Sequence, residues 1–475
     1  MYHPSSILRL LFSVVSMTFL TGSMHAQDAY RLKLLDNWND TALYHESKIP
    51  GQIWSELTGY VDSAGGKEYI IMGSIDSIYF FDVSDPTHIR KCDVEYGLNR
   101  AVNRDVEVLG HYVYCVSDNA PAGKLQIFDL SFLPDSVHKI YESDKLGINT
   151  HSLYISKGSK RLYMCINKVD TAPKVVHGMD ILSIEKPDSP YLIGTLNDPT
   201  GCQHVHEAYV KNDTAFCSCE YLGLFVYDFT NPDTSRRLGS IVPPYPYNGY
   251  NHSSYTDSSN EFIAFTDEIP HGLPVKIFRI RELNDMTYET HFTSHEGSTP
   301  HNIFWKGNML YISWYQDGVY LYRVDTPRYP KLYAYYDTYP QNKAGEYDNY
   351  RGCWGVYPFL PSGNIAASDM SNGLFMLKYD PSVGINPQEG TLKHFTAWPN
   401  PFNDVLQLHV IATIEGSSEL VVHDLQGRIQ FSMHLNLSEG ETTIQTMALS
   451  ELQAGIYFAT LRNTKGELRL KLLKI

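Results

Sequence analysis

The sequence predicts an all-β protein: a seven-bladed β-propeller followed by a small C-terminal β-sandwich. Three observations carry this expectation. An aromatic-rich strand ending in a turn recurs about seven times between residues 53 and 381, at intervals of roughly 45–55 residues, the length of a four-stranded blade. Aromatic residues make up 13% of the chain, with 35 Tyr, while charged residues make up only 19%; that balance suits twisted sheets better than helices. After residue 396 the pattern changes to short alternating strands, such as 405–410 and 456–461, which suit a small antiparallel sandwich.

The N-terminus comes first in the chain. An apolar run over residues 7–20 follows few charges, Arg9 among them, and leads into Thr21-Gly22-Ser23-Met24-His25-Ala26. This reads as a secretory signal, residues 1–26, cleaved near Ala26. Ser13 and Ser16 interrupt the run, which is short for a membrane span, and no later stretch reaches spanning length. The first 27 residues hold no Cys, which argues against a lipid anchor. A formal net charge of −15 argues against nucleic acid as a partner, because phosphates would be repelled.

The propeller is assigned to residues 28–381. Its repeat is clearest in Phe81-Asp82-Val83-Ser84-Asp85-Pro86 and Tyr227-Asp228-Phe229-Thr230-Asn231-Pro232. Looser copies centre on Asp129, Asp180, Arg279, Arg323 and Lys378. Pro and Asp/Asn stop each strand and set a turn. The fourth unit shows the whole blade: strands at 206–210, 214–219, 223–228 and 236–241, with Asn212-Asp213 turning the chain between the first two. Each copy is expected to carry two strands before it and one after it. The pattern G-L-x-V-x-D-x-[SDN]-P resembles the LVIVD repeat, and its combination with an anchoring tail resembles the choice-of-anchor B family of bacterial surface proteins. That resemblance, over residues of about 45–380, implies a fold and a location and brings no reaction or catalytic residues with it.

Residues 382–396 form a polar linker containing Pro387-Gln388-Glu389-Gly390. The tail module, residues 397–475, opens with Pro399-Asn400-Pro401-Phe402-Asn403-Asp404. It continues through Asp424-Leu425-Gln426-Gly427-Arg428 and Leu452-Gln453-Ala454-Gly455-Ile456-Tyr457, and ends on Lys471-Leu472-Leu473-Lys474-Ile475. These motifs together resemble the type A C-terminal sorting domain of the type IX secretion system of Bacteroidota. The resemblance implies that residues 397–475 are bound by the type IX machinery. Export across the outer membrane would follow, then attachment to the cell surface or release.

The 7 Cys are an odd number for an exported protein. Cys92, Cys115, Cys165, Cys217 and Cys219 fall in or beside strand-like runs and are expected to be buried as small apolar groups. Cys202 and Cys353 occupy equivalent loops before first strands, so a bridge between them is a candidate.

Candidate chemistry gathers in a second repeated pattern, His-x-x-aromatic, at the first strands: His151 to Tyr154, His206 to Tyr209, His252 to Tyr255 and His301 to Phe304. Trp354 to Tyr357 holds that register in the seventh unit, with Trp54 and Asp105 near it in the first two. First strands line a propeller's channel, so four consecutive blades would aim imidazoles at one channel mouth. Asp76, Asp118, Asn167, Glu220, Asp267, Glu268, Asp317 and Asp369, at second-strand ends, would rim it.

Three readings of the ring stand open. The residues could be structural, satisfying backbone groups in repeats inherited by duplication. They could form a binding site for a glycan, peptide or protein, with His151, His206, His252, His301, Glu220, Asp267 and Glu268 bonding and Trp54 and Trp354 stacking. Alternatively, His151, His206, His252 and His301 could hold a divalent metal, Fe, Cu or Zn, in a metal-dependent enzyme. Carotenoid-cleaving oxygenases, propellers with a four-histidine iron, give a fold-level analogy for this third reading. Surface Ca²⁺ at Asp-rich turns is compatible with the sequence. No P-loop, dinucleotide fingerprint or H-E-x-x-H is present. An exported surface module that binds a ligand or protein is the first expectation, and the metal-dependent enzyme the alternative.

Overall fold

The computed structural model describes residues 29–475 apart from 41, 44–48, 50, 99, 119–122, 172–173, 343–345, 348–349, 384–391, 413–415, 438–441 and 464–465. The signal segment and most of the linker lie outside the described residues. Seven antiparallel sheets fill residues 29–379 among those described. Their innermost strands are Trp54–Val61, Arg104–Leu109, Ser152–Ser156, Glu207–Lys211, Asn251–Thr256, Pro300–Lys306 and Cys353–Tyr357. Each inner strand packs on the next, and Cys353–Tyr357 packs back on Trp54–Val61, so the sheets close in a ring as a β-propeller.

The repeat turns have a simple cause. In three of them the Asp side chain caps the backbone two residues on: Asp82 accepts from the Ser84 amide at 3.0 Å, Asp129 from Ser131 at 2.9 Å and Asp228 from Thr230 at 2.8 Å. These are Asx turns, which compete with strand continuation and end it. Between neighbouring sheets the alternating apolar residues interlock. Tyr163, Ile181, Val210, Ala215 and Tyr227, for example, form one buried cluster between the third and fourth sheets, and each large side chain buried this way contributes about 1.5–3 kcal/mol.

One expectation about the repeat needs correction. The seventh unit supplies only three strands of its own, and the fourth comes from the opposite end of the chain. Leu32–Trp38 pairs antiparallel with Gly373–Tyr379, in register from Leu32 opposite Tyr379 to Trp38 opposite Leu374. Ala29–Tyr30 adds an outer strand to the sixth sheet against Lys331–Tyr336. Without this exchange the last sheet would present an unpaired edge. The cysteines also differ from expectation. Cys202 bridges to Cys219, not Cys353, with the two Cα atoms 5.7 Å apart. Cys219 ends the return strand beside the Cys202 loop of the same unit, whereas Cys353 begins the inner strand of the seventh sheet and is buried as a thiol. Cys115, Cys165 and Cys217 are buried thiols as expected.

The C-terminal module is a sandwich of two sheets. One joins Leu392–Trp398, Val405–Ala412 and Thr442–Ala448; the other joins Ile429–Leu437, Gly416–Asp424, Gly455–Asn463 and Gly466–Lys474. Phe402, Leu406, Leu420, Val422, Leu461 and Leu472 sit in its core. Its motifs turn out to be two ends of one clasp. Asn400 donates to the Lys471 carbonyl at 2.8 Å and accepts from the Leu473 amide at 2.9 Å. The Phe402 amide donates to the Leu473 carbonyl, and Lys474 pairs with Asp404 at 3.3 Å. The middle motif is a turn: Asp424 accepts from the Gln426 and Arg428 amides, both at 3.0 Å, and Gly427 takes the left-handed φ of 76° that glycine tolerates best.

Two outcomes follow. Removing residues 29–38 should abolish the cooperative thermal transition of the propeller; a wild-type-like transition in a calorimeter would contradict closure by this strand. Asn400→Ala should destabilise the sandwich by about 1–2 kcal/mol, the cost of two hydrogen bonds, read as a lower melting temperature together with less exported protein.

Candidate functional site

One end of the ring axis opens into a cavity of about 540 Å³. His151, His206, His252 and His301 all line it. Two of them precede their strands and are pinned by their own amides: His151 donates to the Cys165 carbonyl at 3.0 Å and His206 to the Ser218 carbonyl at 2.8 Å. The other two sit at breaks in the strand register, between Asn251 and Ser253 and between Pro300 and Ile303. Trp354 sits at the equivalent break between Cys353 and Gly355. In a regular strand, residues three apart face opposite sides, but a bulge adds one residue and resets the alternation. His252 with Tyr255, His301 with Phe304 and Trp354 with Tyr357 therefore all line the same cavity.

The imidazoles stand side by side. Ring centroids are 4.1 Å apart for His151 and His206, 4.4 Å for His206 and His252, and 4.3 Å for His252 and His301. Three are held from behind through Nδ1: His151 by Asp118 at 3.0 Å, His206 by the Tyr250 hydroxyl at 2.9 Å, and His301 by the Trp354 carbonyl at 2.5 Å. A carbonyl only accepts, so Nδ1 of His301 carries the proton and its Nε2 is bare when the ring is neutral. Nε2 of His151 and Nε2 of His206 face each other at 3.1 Å. Nδ1 of His252 is buried without a hydrogen-bond partner. Glu268 completes the group, accepting from the Tyr315 hydroxyl at 2.7 Å. Ligand-competent atoms of His252, Glu268 and His301 all lie within 4.8 Å of one another.

Burial governs the charge states. It holds His206 and His252 well below the usual imidazole pKa, with neighbouring imidazoles pushing the same way. It takes His301 down to about 3. His151 is also lowered by burial, but its hydrogen bond to Asp118 and that carboxylate's charge outweigh it and leave the pKa raised. The same burial lifts Glu268 to about 7. Deeper in the cavity, Glu56 and Glu207 are lifted to about 8 and Glu107 to about 7. At neutral pH three of the four histidines are thus neutral, the form that ligates metals.

Several residues expected at the site lie elsewhere. Trp54 is fully buried in an apolar cluster, where Nε1 donates to Asn39 at 2.8 Å and its ring packs on Trp38 of the closing strand. Asp267 is also fully buried, salt-bridged to Lys276 at 2.8 Å and bonded to Tyr245 and Asn251, so it holds the fold rather than facing the cavity. Glu220 stands outside the cavity lining, with its carboxylate 3.9 Å from His204. Trp354 and Glu268 do line it, as does Asp118 of the expected rim. Glu56 and Glu107 were not singled out in the sequence. They lie on the first strands of the first two units, Glu56 at the position that Glu207 holds in the fourth unit and Glu107 where the histidine-bearing units place an aromatic residue, and that register was the signal available.

Residues 396–474 match the family model of a secretion system C-terminal sorting domain. The chain is therefore handled by type IX secretion and delivered across the outer membrane to the cell surface or the medium. Among the described residues, no helix is long and apolar enough to cross a membrane. No curated protein matches the chain. Solved structures do resemble it. U3-55K is 11% identical with a TM-score of 0.50, over 73% of this chain and 98% of that one. The hydrazine synthase of Kuenenia stuttgartiensis is 12% identical with a TM-score of 0.50, over 71% and 98%. The periplasmic gluconolactonase of Pseudomonas aeruginosa is 11% identical with a TM-score of 0.47, over 84% and 99%. At such identities the first two speak for the propeller fold alone.

Because Asp267 and Lys276 form a wholly buried ion pair, Lys276→Met should cost about 3–5 kcal/mol by leaving a carboxylate unpaired. Denaturant unfolding measures this; a change below about 1 kcal/mol would contradict the structural role given to Asp267.

Proposed function

We propose that the histidine cavity is the working site of this exported propeller and that it holds a divalent transition metal. His252, His301 and Glu268 would be the principal ligands, with His206 and His151 beside them. Two imidazoles and one carboxylate form a donor set suited to Fe(II) or Zn(II), and added imidazoles suit Cu as well. The orphaned Nδ1 of His252, buried among imidazoles whose Nδ1 atoms are otherwise engaged, carries the proposal. A buried polar atom without a partner is costly, and an ion at the ring would give the imidazole edges a common partner. The placement agrees: ligand-competent atoms of His252, Glu268 and His301 already lie within 4.8 Å of one another. Asp118, Tyr250 and the Trp354 carbonyl would orient the rings, as partners behind ligating imidazoles do.

In this reading the propeller is a metal-dependent enzyme acting on a small molecule held in the cavity, rather than a binding module alone. The repeat pattern supports an LVIVD-type propeller of the choice-of-anchor B kind, with residues 1–26 as its export signal and 382–396 as the linker to the sorting domain. Elemental analysis of the untagged, full-length secreted protein tests the proposal. About one equivalent of Fe, Zn or Cu should be present. It should be lost in the His252→Ala/His301→Ala variant while the thermal transition remains cooperative. Protein that is metal-free and takes up none of these ions would overturn the proposal and leave the binding-module and structural readings.

A further inference from the structure

Beyond the histidines the cavity changes character. Glu56, Asp105, Glu107 and Glu207 line it, and among the described lining residues Lys157 is the one lysine or arginine. The charges of these carboxylates act on one another, Asp105 with Glu56 and Glu207 with Asp105. Two lining residues hold further buried acceptors. Asn302 is 6% exposed; its Nδ2 donates to Glu56, and its Oδ1 has no partner. Asn103 is also 6% exposed, donates through Nδ2 to the His151 carbonyl at 2.7 Å, and likewise leaves Oδ1 without a partner. Buried acceptors in excess of donors call for a ligand that donates.

The remaining walls are aromatic. Tyr209 and Tyr255 lie with ring centroids 4.1 Å apart, and Phe304 and Phe359 follow at 5.6 Å from each other. All four line the cavity. Aromatic faces attract cations as well as apolar groups. A second small metal ion does not fit this chamber. Among the described residues, the one trio of His, Cys, Asp or Glu whose ligand atoms lie within 4.8 Å of one another is His252, Glu268 and His301.

We propose that this chamber binds an organic ammonium ion on an apolar body, with the ammonium group among Glu56, Asp105 and Glu207 and the body against the Tyr and Phe faces. The proposal rests on the cavity being the ligand site but not on the metal. A ligand so placed would hold its ammonium end nearer the imidazoles and its body away from them, because Glu207 lies between His206 and Tyr209 along the chain; if the metal reading holds, this names the class of molecule presented to it. Burial holds Glu56 and Glu207 up at about 8, so an ammonium ion is favoured because it supplies the charge that lets them ionise, which a neutral or anionic ligand of the same shape would not.

Titration calorimetry of the full chain in phosphate buffer, with and without prior chelation, tests this with three probes of one shape: phenethylamine, 2-phenylethanol and phenylacetate. Phenethylamine should bind in both preparations. The alcohol should bind at least about ten-fold more weakly, and the acid should not bind. Glu207→Gln should weaken the amine about ten-fold and leave the alcohol unchanged, with Glu56→Gln as the second variant should the first fail to fold. Equal binding of the alcohol or acid, no binding of the amine to wild type, or wild-type affinity in the folded variants would overturn the proposal. Amine binding by a protein that takes up no metal sinks the metal reading alone, and metal uptake without amine binding sinks this one alone.

Discussion

The histidine ring depends on closure of the propeller by the strand Leu32–Trp38. Seven inner strands can present side chains to a common axis only while the last sheet is held against the first; Cys353–Tyr357 makes the inner contact, and Trp38 of the N-terminal strand adds an outer one against Trp54, Tyr79 and Phe81. Trp54 shows how closely closure and site are linked. It begins the inner strand of the first unit, but its ring packs against Trp38 and is bonded to Asn39, so it secures the closing strand instead of facing a ligand. The loop-closure entropy of joining the chain's ends is offset by a full strand of hydrogen bonds and by the apolar cluster around Trp38, Tyr79 and Phe81.

Within the ring, the central fact is four imidazoles in a row, ring against ring, three of them buried. Each pushes its neighbours toward neutrality, and burial does the same. Asp118 is the exception, because it compensates one ring, His151, with a negative charge. The site therefore pairs one imidazole that favours the proton with three that reject it. Tyr315 and Glu268 extend the network beside His301 and His252. Such preorganisation, with three of the four Nδ1 atoms engaged and that of His252 left without a partner, is the arrangement that a metal or an incoming ligand would meet.

Much of this was legible in the sequence, for identifiable reasons. The Asp-x-Ser/Thr turns announce strand ends because the side chain caps a nearby amide, a local effect that any reader of Asp82 or Asp228 can see. The four histidines were visible because duplication repeats them in register. Their odd spacing to the following aromatic residue also encoded the bulges that let both line one cavity, although its meaning appears only once the register breaks are seen. What stayed hidden is non-local. The partner of Cys202, the exchange of the N-terminal strand, and the burial of Asp267 by Lys276 depend on residues brought together by the fold, with no local pattern to mark them. Glu56 and Glu107 were missed because single carboxylates on alternating strands look solvent-facing until the ring closes around them. In the sorting domain the motifs were plain. Their physical connection, Asn400 clasping the strand that carries Lys471 and Leu473, was not.

The most direct test of the metal centre is X-ray absorption spectroscopy of the full-length protein loaded with Fe(II) or Zn(II) and freed of excess ion. The account predicts nitrogen and oxygen scatterers at about 2.0–2.2 Å together with the outer-shell scattering of several imidazole rings. A spectrum of water and carboxylate oxygens without imidazole scattering would contradict it.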